Sequence, residues 1–196
     1  MPDTYKTVAR EMVTECKIQR SLFIAHVQET PTEKEARDFI AQISNKHKQA
    51  AHNCSAYQIG LGKETSCYFD DNGEPSGTAG KPILGAILSR ELTNVTVVVT
   101  RYFGGKKLGV RGLIDAYGNA AGDALDRAGT ITKTIYHTLC FTCNYPQLDQ
   151  INYLVTQHHG EITESNYTDQ VKLKIAVPRS FAAQLKNLLA KYGQIN

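Results

Sequence analysis

The chain has 196 residues, of which 41% are hydrophobic and 21% charged, with no tryptophan. That composition excludes intrinsic disorder, and the length allows one medium domain or two small ones. A net charge of +3, from 22 basic and 19 acidic residues, is too mild to mark a nucleic-acid binder by bulk charge, so any anion binding has to come from local placement. The longest apolar run, Ile83 to Leu88, includes Gly85 and falls far short of the about 20 residues a membrane span needs. Asp3, Lys6, Arg10, Glu11 and Glu15 leave no room for a signal-peptide core. Five cysteines, odd in number and irregularly spaced, argue against a disulfide scaffold and for a reducing cytoplasm.

In chain order, the first segments read as strands over Tyr5–Thr14 and Arg20–Val27, rich in Val, Ile, Phe and Thr. Thr32 and Glu35 have the spacing of a capping box, and Ala36, Phe39, Ile40 and Ile43 follow at helical spacing, which predicts a helix over Glu33–Lys48. Ser55–Leu61 and Thr65–Phe69 read as a hairpin, Asp70–Gly80 as a loop, and the Ile/Leu-rich stretch after it as a helix ending near Glu91. Val95–Val99 has almost no polar interruption and predicts a strand buried on both faces. A second glycine-rich loop runs from Arg101 to Gly112, and a helix over Leu113–Ala128 ends at Gly129.

A boundary falls near Gly129–Thr134, giving domains of 1–132 and 133–196. Beyond it, Ile135, His137, Leu139, Phe141 and Cys143 alternate with mostly polar residues. A helix follows from Pro146, a half-buried strand carries Val171, Leu173, Ile175 and Val177, and a last helical face runs from Phe181 to Tyr192. This order reads as a ferredoxin-like α+β unit, with the tail Gly193–Asn196 as its only candidate fourth strand.

Chemistry concentrates in the two glycine-rich segments, which both leave strands and precede helices and are expected to face one cleft. In the 101–112 segment, Gly104, Gly105 and Gly109 allow close backbone approach. Arg101, Lys106, Lys107 and Arg111 add charge near a helix N-terminus. The segment reads either as an anion or nucleic-acid site or as a tight turn with solvated lysines. It is neither a Walker A loop nor a dinucleotide fingerprint. In the 70–82 segment, Asp70, Asp71 and Glu74 read as turn acids in preference to a metal site, because no second carboxylate cluster completes one. Ser76 or Thr78 is the candidate cap of the next helix, and Lys81 is a further basic residue of this loop. His52 is a candidate neighbour of the cleft, and Cys54 beside it reads as a buried thiol. Cys140 and Cys143 lie three apart on a strand, hence on opposite faces, which argues against a zinc or redox pair. No residue pattern specifies a cofactor or a catalytic nucleophile.

The stretches Ala51–Tyr57, Asp70–Pro82, Val97–Gly105 and Leu108-Gly109 through Leu113 to Ala116-Tyr117 closely resemble the YigZ/IMPACT family, in the arrangement of its bacterial two-domain members. The resemblance implies an N-terminal βα domain like elongation factor G domain IV and the second domain of a small-subunit ribosomal protein. It implies a C-terminal domain like elongation factor G domains III and V. The eukaryotic member regulates translation by competing for the activator of an initiation-factor kinase, a pathway bacteria lack. Arg111 departs from the family's Leu-Gly-x-Gly-Gly-Leu pattern, which has glycine there, and would be strained if that position required a positive φ.

These readings lead to the expectation of a cytosolic, translation-linked, non-enzymatic regulatory protein that binds RNA or the ribosome through the basic glycine-rich loop. Lys172 and Lys174, on one strand face, are a lesser candidate surface. The alternatives are an enzyme holding a phosphorylated small molecule or nucleotide in the same cleft, and a regulator acting on a protein partner.

Overall fold

The computed structural model describes residues 3–195, which divide into two units, residues 6–132 and residues 133–195 together with 3–5. Strand β1 (Thr4–Val8) and strand β2 (Met12–Ile18) replace the single strand expected over Tyr5–Thr14. The break at 9–11 is set by partners that the apolar pattern does not reveal: the Ala9 N–H donates to the Gly129 carbonyl, and β2 turns to pair with β3 (Ser21–Glu29). Helix α1 (Glu33–Lys46) starts at the expected Thr32 cap, whose Oγ1 accepts from the Glu35 N–H at 3.2 Å; the Glu35 carboxylate reaches back to the Thr32 hydroxyl, at 2.9 Å, rather than to the backbone N–H of a full capping box.

Strands β4 (His52–Ile59) and β5 (Ser66–Asp70) form the hairpin, followed by α2 (Gly80–Leu88), β6 (Val95–Tyr102) and α3 (Gly109–Ala128). The sheet runs β2-β3-β6-β4-β5, antiparallel throughout, with β6 in the centre as its valine run requires. Val95, Val97 and Val99 pack with Ile83, Ile87, Leu113 and Tyr117 of α2 and α3. On the other side Val98 meets Phe39 and Ile43 of α1. Helix α3 begins at Gly109, four positions before the expected start at Leu113, because Gly109 takes φ +73° and turns the loop directly into the helix. Arg111 therefore lies in the first turn of α3 and is not among the residues with positive φ, so it carries no strain in place of the family's glycine.

Strand β7 (Thr130–Thr134) pairs with β1. Then follow β8 (Tyr136–Cys143), α4 (Leu148–Gln157), β9 (Glu161–Tyr167), β10 (Val171–Pro178), α5 (Arg179–Leu189) and β11 (Gly193–Ile195). Pro146 sits in a single 3₁₀ turn before α4 rather than in the helix itself. The βαββαβ order and the antiparallel sheet β11-β8-β10-β9 are those of a ferredoxin-like unit. Residue 196 of the expected fourth strand lies outside the described residues. Phe141, Ile151, Val155, Ile175, Val177, Leu185 and Leu189 form the core of this unit. Cys143 is buried there while Cys140 is exposed on the opposite face, and all five cysteines are free. Among the described residues no helix is long and apolar enough to cross a membrane.

Candidate functional site

The two glycine-rich loops meet at a cavity of about 400 Å³. Glu74 and Pro75 come from the first loop. Phe103, Lys107 and Leu108 come from the second, Arg101 from the end of β6, His52 from the start of β4, and Gly109, Val110 and Leu113 from α3.

Each loop is held by a specific device. Asp70 accepts from the Asn72 N–H at 2.9 Å, and Asn72 and Gly73 turn the chain with φ of 44° and 86°. The carboxylate of Asp71 then accepts from three backbone N–H groups at the start of α2: Gly77 at 2.7 Å, Ala79 at 3.0 Å and Gly80 at 2.8 Å. The cap of α2 is therefore Asp71, and not Ser76 or Thr78. Ser76 is exposed, and Thr78 Oγ1 donates to the Pro75 carbonyl instead. Although burial raises the pKa of the Asp71 carboxyl, the N–H donors of Gly77, Gly80 and Ala79 outweigh it and hold the group below its ordinary value. In the second loop Gly104 lies against the backbone of Arg20 and donates its N–H to Ser21 Oγ at 3.3 Å.

Glu74, the third acid of the first loop, closes a turn with its N–H on the Asp71 carbonyl at 2.9 Å, but its side chain does more than a turn requires. Its side chain is buried, and its Oε1 accepts from Arg101 Nη1 at 2.6 Å and from the Tyr117 hydroxyl at 2.8 Å. His52 Nε2 lies 3.8 Å from the same oxygen. Arg101, expected among the anion ligands of the second segment, is only 5% exposed and has its charge met by Glu74. Its guanidinium also stacks over Phe103 at 5.3 Å and Phe23 at 5.6 Å. The carboxylate beside Arg101 weakens the case for a phosphate bound there.

His52 Nδ1 is 2.8 Å from the Asn72 carbonyl, which only accepts, so Nδ1 carries a proton. Burial pushes the Cys54 thiol up to about 12, opposed in part by Tyr117, and its Sγ donates to the Asp71 carbonyl at 3.0 Å, both of which favour the thiol over the thiolate.

Of the other expected site residues, Lys107 and Gly109 line the cavity. Lys106 and Arg111 are exposed nearby in sequence, and Gly105 forms a turn at φ +87°. Asp70, Asp71, Ser76, Thr78 and Lys81 do not line the cavity. Lys174 is ion-paired with Glu164 at 2.9 Å, which discharges part of the lesser basic face. Sequence reasoning missed Phe103, Leu108 and Val110 as cavity walls and Tyr117 as a donor to Glu74. A tyrosine among the alanines of a buried helix face was the available signal, since a buried phenol seeks a partner.

The model of the Impact N-terminal domain matches residues 19–125, and that of the domain of unknown function DUF1949 matches residues 141–192. The chain belongs to the IMPACT family. It is 38% identical over 177 residues to IMPACT family member YvyE of Bacillus subtilis, covering 90% of this chain and 81% of that one. It is 35% identical over 179 residues to IMPACT family member YigZ of Escherichia coli, covering 91% and 88%. A crystal structure of a hypothetical protein, 32% identical, matches 100% of this chain and 97% of its own with a TM-score of 0.72. The IMPACT domain match spans both glycine-rich loops, so the cavity lies within that domain.

Proposed function

We propose that this IMPACT-family protein is a non-enzymatic, translation-linked regulator in the cytoplasm that binds RNA or the ribosome through the 103–111 segment. The carrying observation is a half-exposed aromatic ring followed by unpaired cations. Phe103 is 49% exposed, and Lys106, Lys107 and Arg111 are exposed and enter no ion pair among the described residues. Aromatic rings that stack bases beside cations that track phosphates are the general means of holding a single strand. On this reading residues 1–132 and 133–196 are modules akin to those of elongation factor G, as the family resemblance implies, and the first carries the RNA surface. Arg101 contributes by shaping Phe103 and Glu74, not by meeting phosphate. A phosphorylated small molecule in the cavity is the weaker reading, because its strongest cation is already neutralised.

The test is binding of a fluorescent single-stranded RNA at several salt concentrations, together with co-sedimentation with ribosomes. Each phosphate contact adds about −0.7 to the slope of log affinity against log salt, so Lys106→Ala with Lys107→Ala should flatten the slope by about 1.4. Absence of RNA binding at low salt together with absence of ribosome association overturns the proposal.

A further inference from the structure

We propose that the cavity between the two loops receives a nucleobase by its hydrogen-donating edge, with guanine preferred. This rests on the RNA-binding reading and specifies what the site recognises.

The cavity, at about 400 Å³, lies within the range of about 300–1,000 Å³ typical of small-ligand sites. Its walls are apolar: Phe103, Leu108 and Val110 line it, and the ring and Val110 are both substantially exposed to an incoming group. A planar ring with apolar faces suits such walls.

The polar end is rich in acceptors. The Oε1 of Glu74 already takes the bonds from Arg101 and Tyr117, while Oε2 takes no donor among the described residues. His52 has its Nδ1 proton committed to the Asn72 carbonyl, so in the neutral ring Nε2 is a lone-pair acceptor, and it sits 3.8 Å from Oε1 of the same carboxylate. Two adjacent acceptors call for two adjacent donors. Guanine carries an imino N–H beside an amino group. Adenine and cytosine carry one amino group beside a ring acceptor, and uracil carries one imino N–H between two carbonyls. The donor count ranks guanine first.

Arg101 compensates the carboxylate's charge, which lets a donor-bearing but uncharged ligand bind without importing a cation. Lys107 lines the same cavity, where it can meet the phosphate of the inserted nucleotide while the base leaves its stack.

The experiment measures the affinity of the full chain for equal-length oligouridines carrying at one central position uridine, guanosine or inosine, with guanosine monophosphate as a separate probe. The guanosine strand should bind about tenfold more tightly than the all-uridine strand, and inosine, which lacks the amino donor, should lose most of that gain. Phe103→Ala removes a half-exposed side chain and leaves the core intact. It should bring the guanosine-to-uridine ratio close to one, because the guanosine strand loses more than oligouridine, whose binding weakens with the lost stacking but keeps the salt dependence carried by Lys106, Lys107 and Arg111. Equal affinity for all three strands overturns the base site and leaves the RNA-binding reading standing. Guanosine monophosphate binding that Phe103→Ala weakens, without binding of any strand, supports the base site for a free nucleotide and overturns the RNA-binding reading. Binding of neither strands nor nucleotide overturns both.

Discussion

Arg101 Nη1 lies 2.6 Å from Glu74 Oε1, both side chains are buried, and both residues line the cavity. The pair ties the end of the central strand β6 to the loop before α2, and Tyr117 on α3 adds a bond to the same oxygen. Three chain segments thus converge on one carboxylate. The cavity's shape depends on that oxygen keeping both donors, since neither a bare arginine nor a bare glutamate is stable there.

Glu74→Ala leaves Arg101 buried without a counter-charge and should cost about 3–5 kcal/mol, read by urea denaturation. Glu74→Ala combined with Arg101→Met removes the orphaned charge and should recover a large part of that loss. A double variant as unstable as the sum of its two singles would show that the pair does not act as a unit.

Asp71→Ala removes the acceptor of three N–H groups at the start of α2 and should cost about 1–3 kcal/mol. The folded-state pKa of Asp71 is depressed. Its stabilising contribution is therefore complete above the unfolded value of about 3.9 and is lost as the pH falls through the lower folded value. The wild type should lose stability over that acid range and Asp71→Ala should lose less, compared by denaturation at successive pH values. Parallel curves would assign the cap elsewhere.

What the sequence made legible follows from where the information lies. Val95–Val99 announces a central strand because burial on both faces leaves no polar position, and Thr32 with Glu35 announces a helix start because the cap is completed within four residues. Asp71 and Glu74 look alike in a glycine-rich loop, yet one caps a helix and the other anchors a buried ion pair. Their partners at 77–80, 101 and 117 are assembled only by the fold. Arg101 carries the same lesson with opposite sign. Beside Lys106 and Lys107 it reads as one more cation, but it is the last buried position of an inward-facing strand end, where a charge persists only if paired.

Gly104 and Gly105 should respond differently to alanine. A Cβ on Gly104 would stand 1.9 Å from the Arg20 carbonyl oxygen, a backbone atom that cannot swing aside. Gly104→Ala should therefore cost more than about 2 kcal/mol and displace the segment carrying Phe103. Gly105 has φ +87° and nothing within 4 Å of an added Cβ, so Gly105→Ala should cost only the left-handed backbone penalty of about 1–2 kcal/mol. Thermal melts of the two variants compare them directly, and equal losses would mean that the Arg20 contact is not tight.

His26 supplies a pH dependence in the opposite chemical sense to a paired histidine. It lies on β3, is 4% exposed, has no hydrogen-bond partner at either ring nitrogen among the described residues, and its ring centroid is 5.1 Å from that of His47. Burial first, then the nearby His47 and Lys46, lower its pKa to about 4 from 6.5. Between those two values the unfolded chain takes up a proton that the folded chain refuses. Stability should therefore fall as the pH is lowered from about 6.5 to about 4, with no further loss from this residue below that window. At about 1.4 kcal/mol per pH unit the loss has an upper bound of about 3 kcal/mol, reduced to the extent that water reaches the ring. His47 is lowered by its own burial and by Lys46, opposed by Glu15, and acts in the same direction. His26→Leu removes the titrating group while keeping a buried apolar side chain, and should flatten the curve of urea stability against pH across the window. A wild type whose stability is constant from pH 7 to pH 4.5 would mean that His26 accepts its proton in the folded chain.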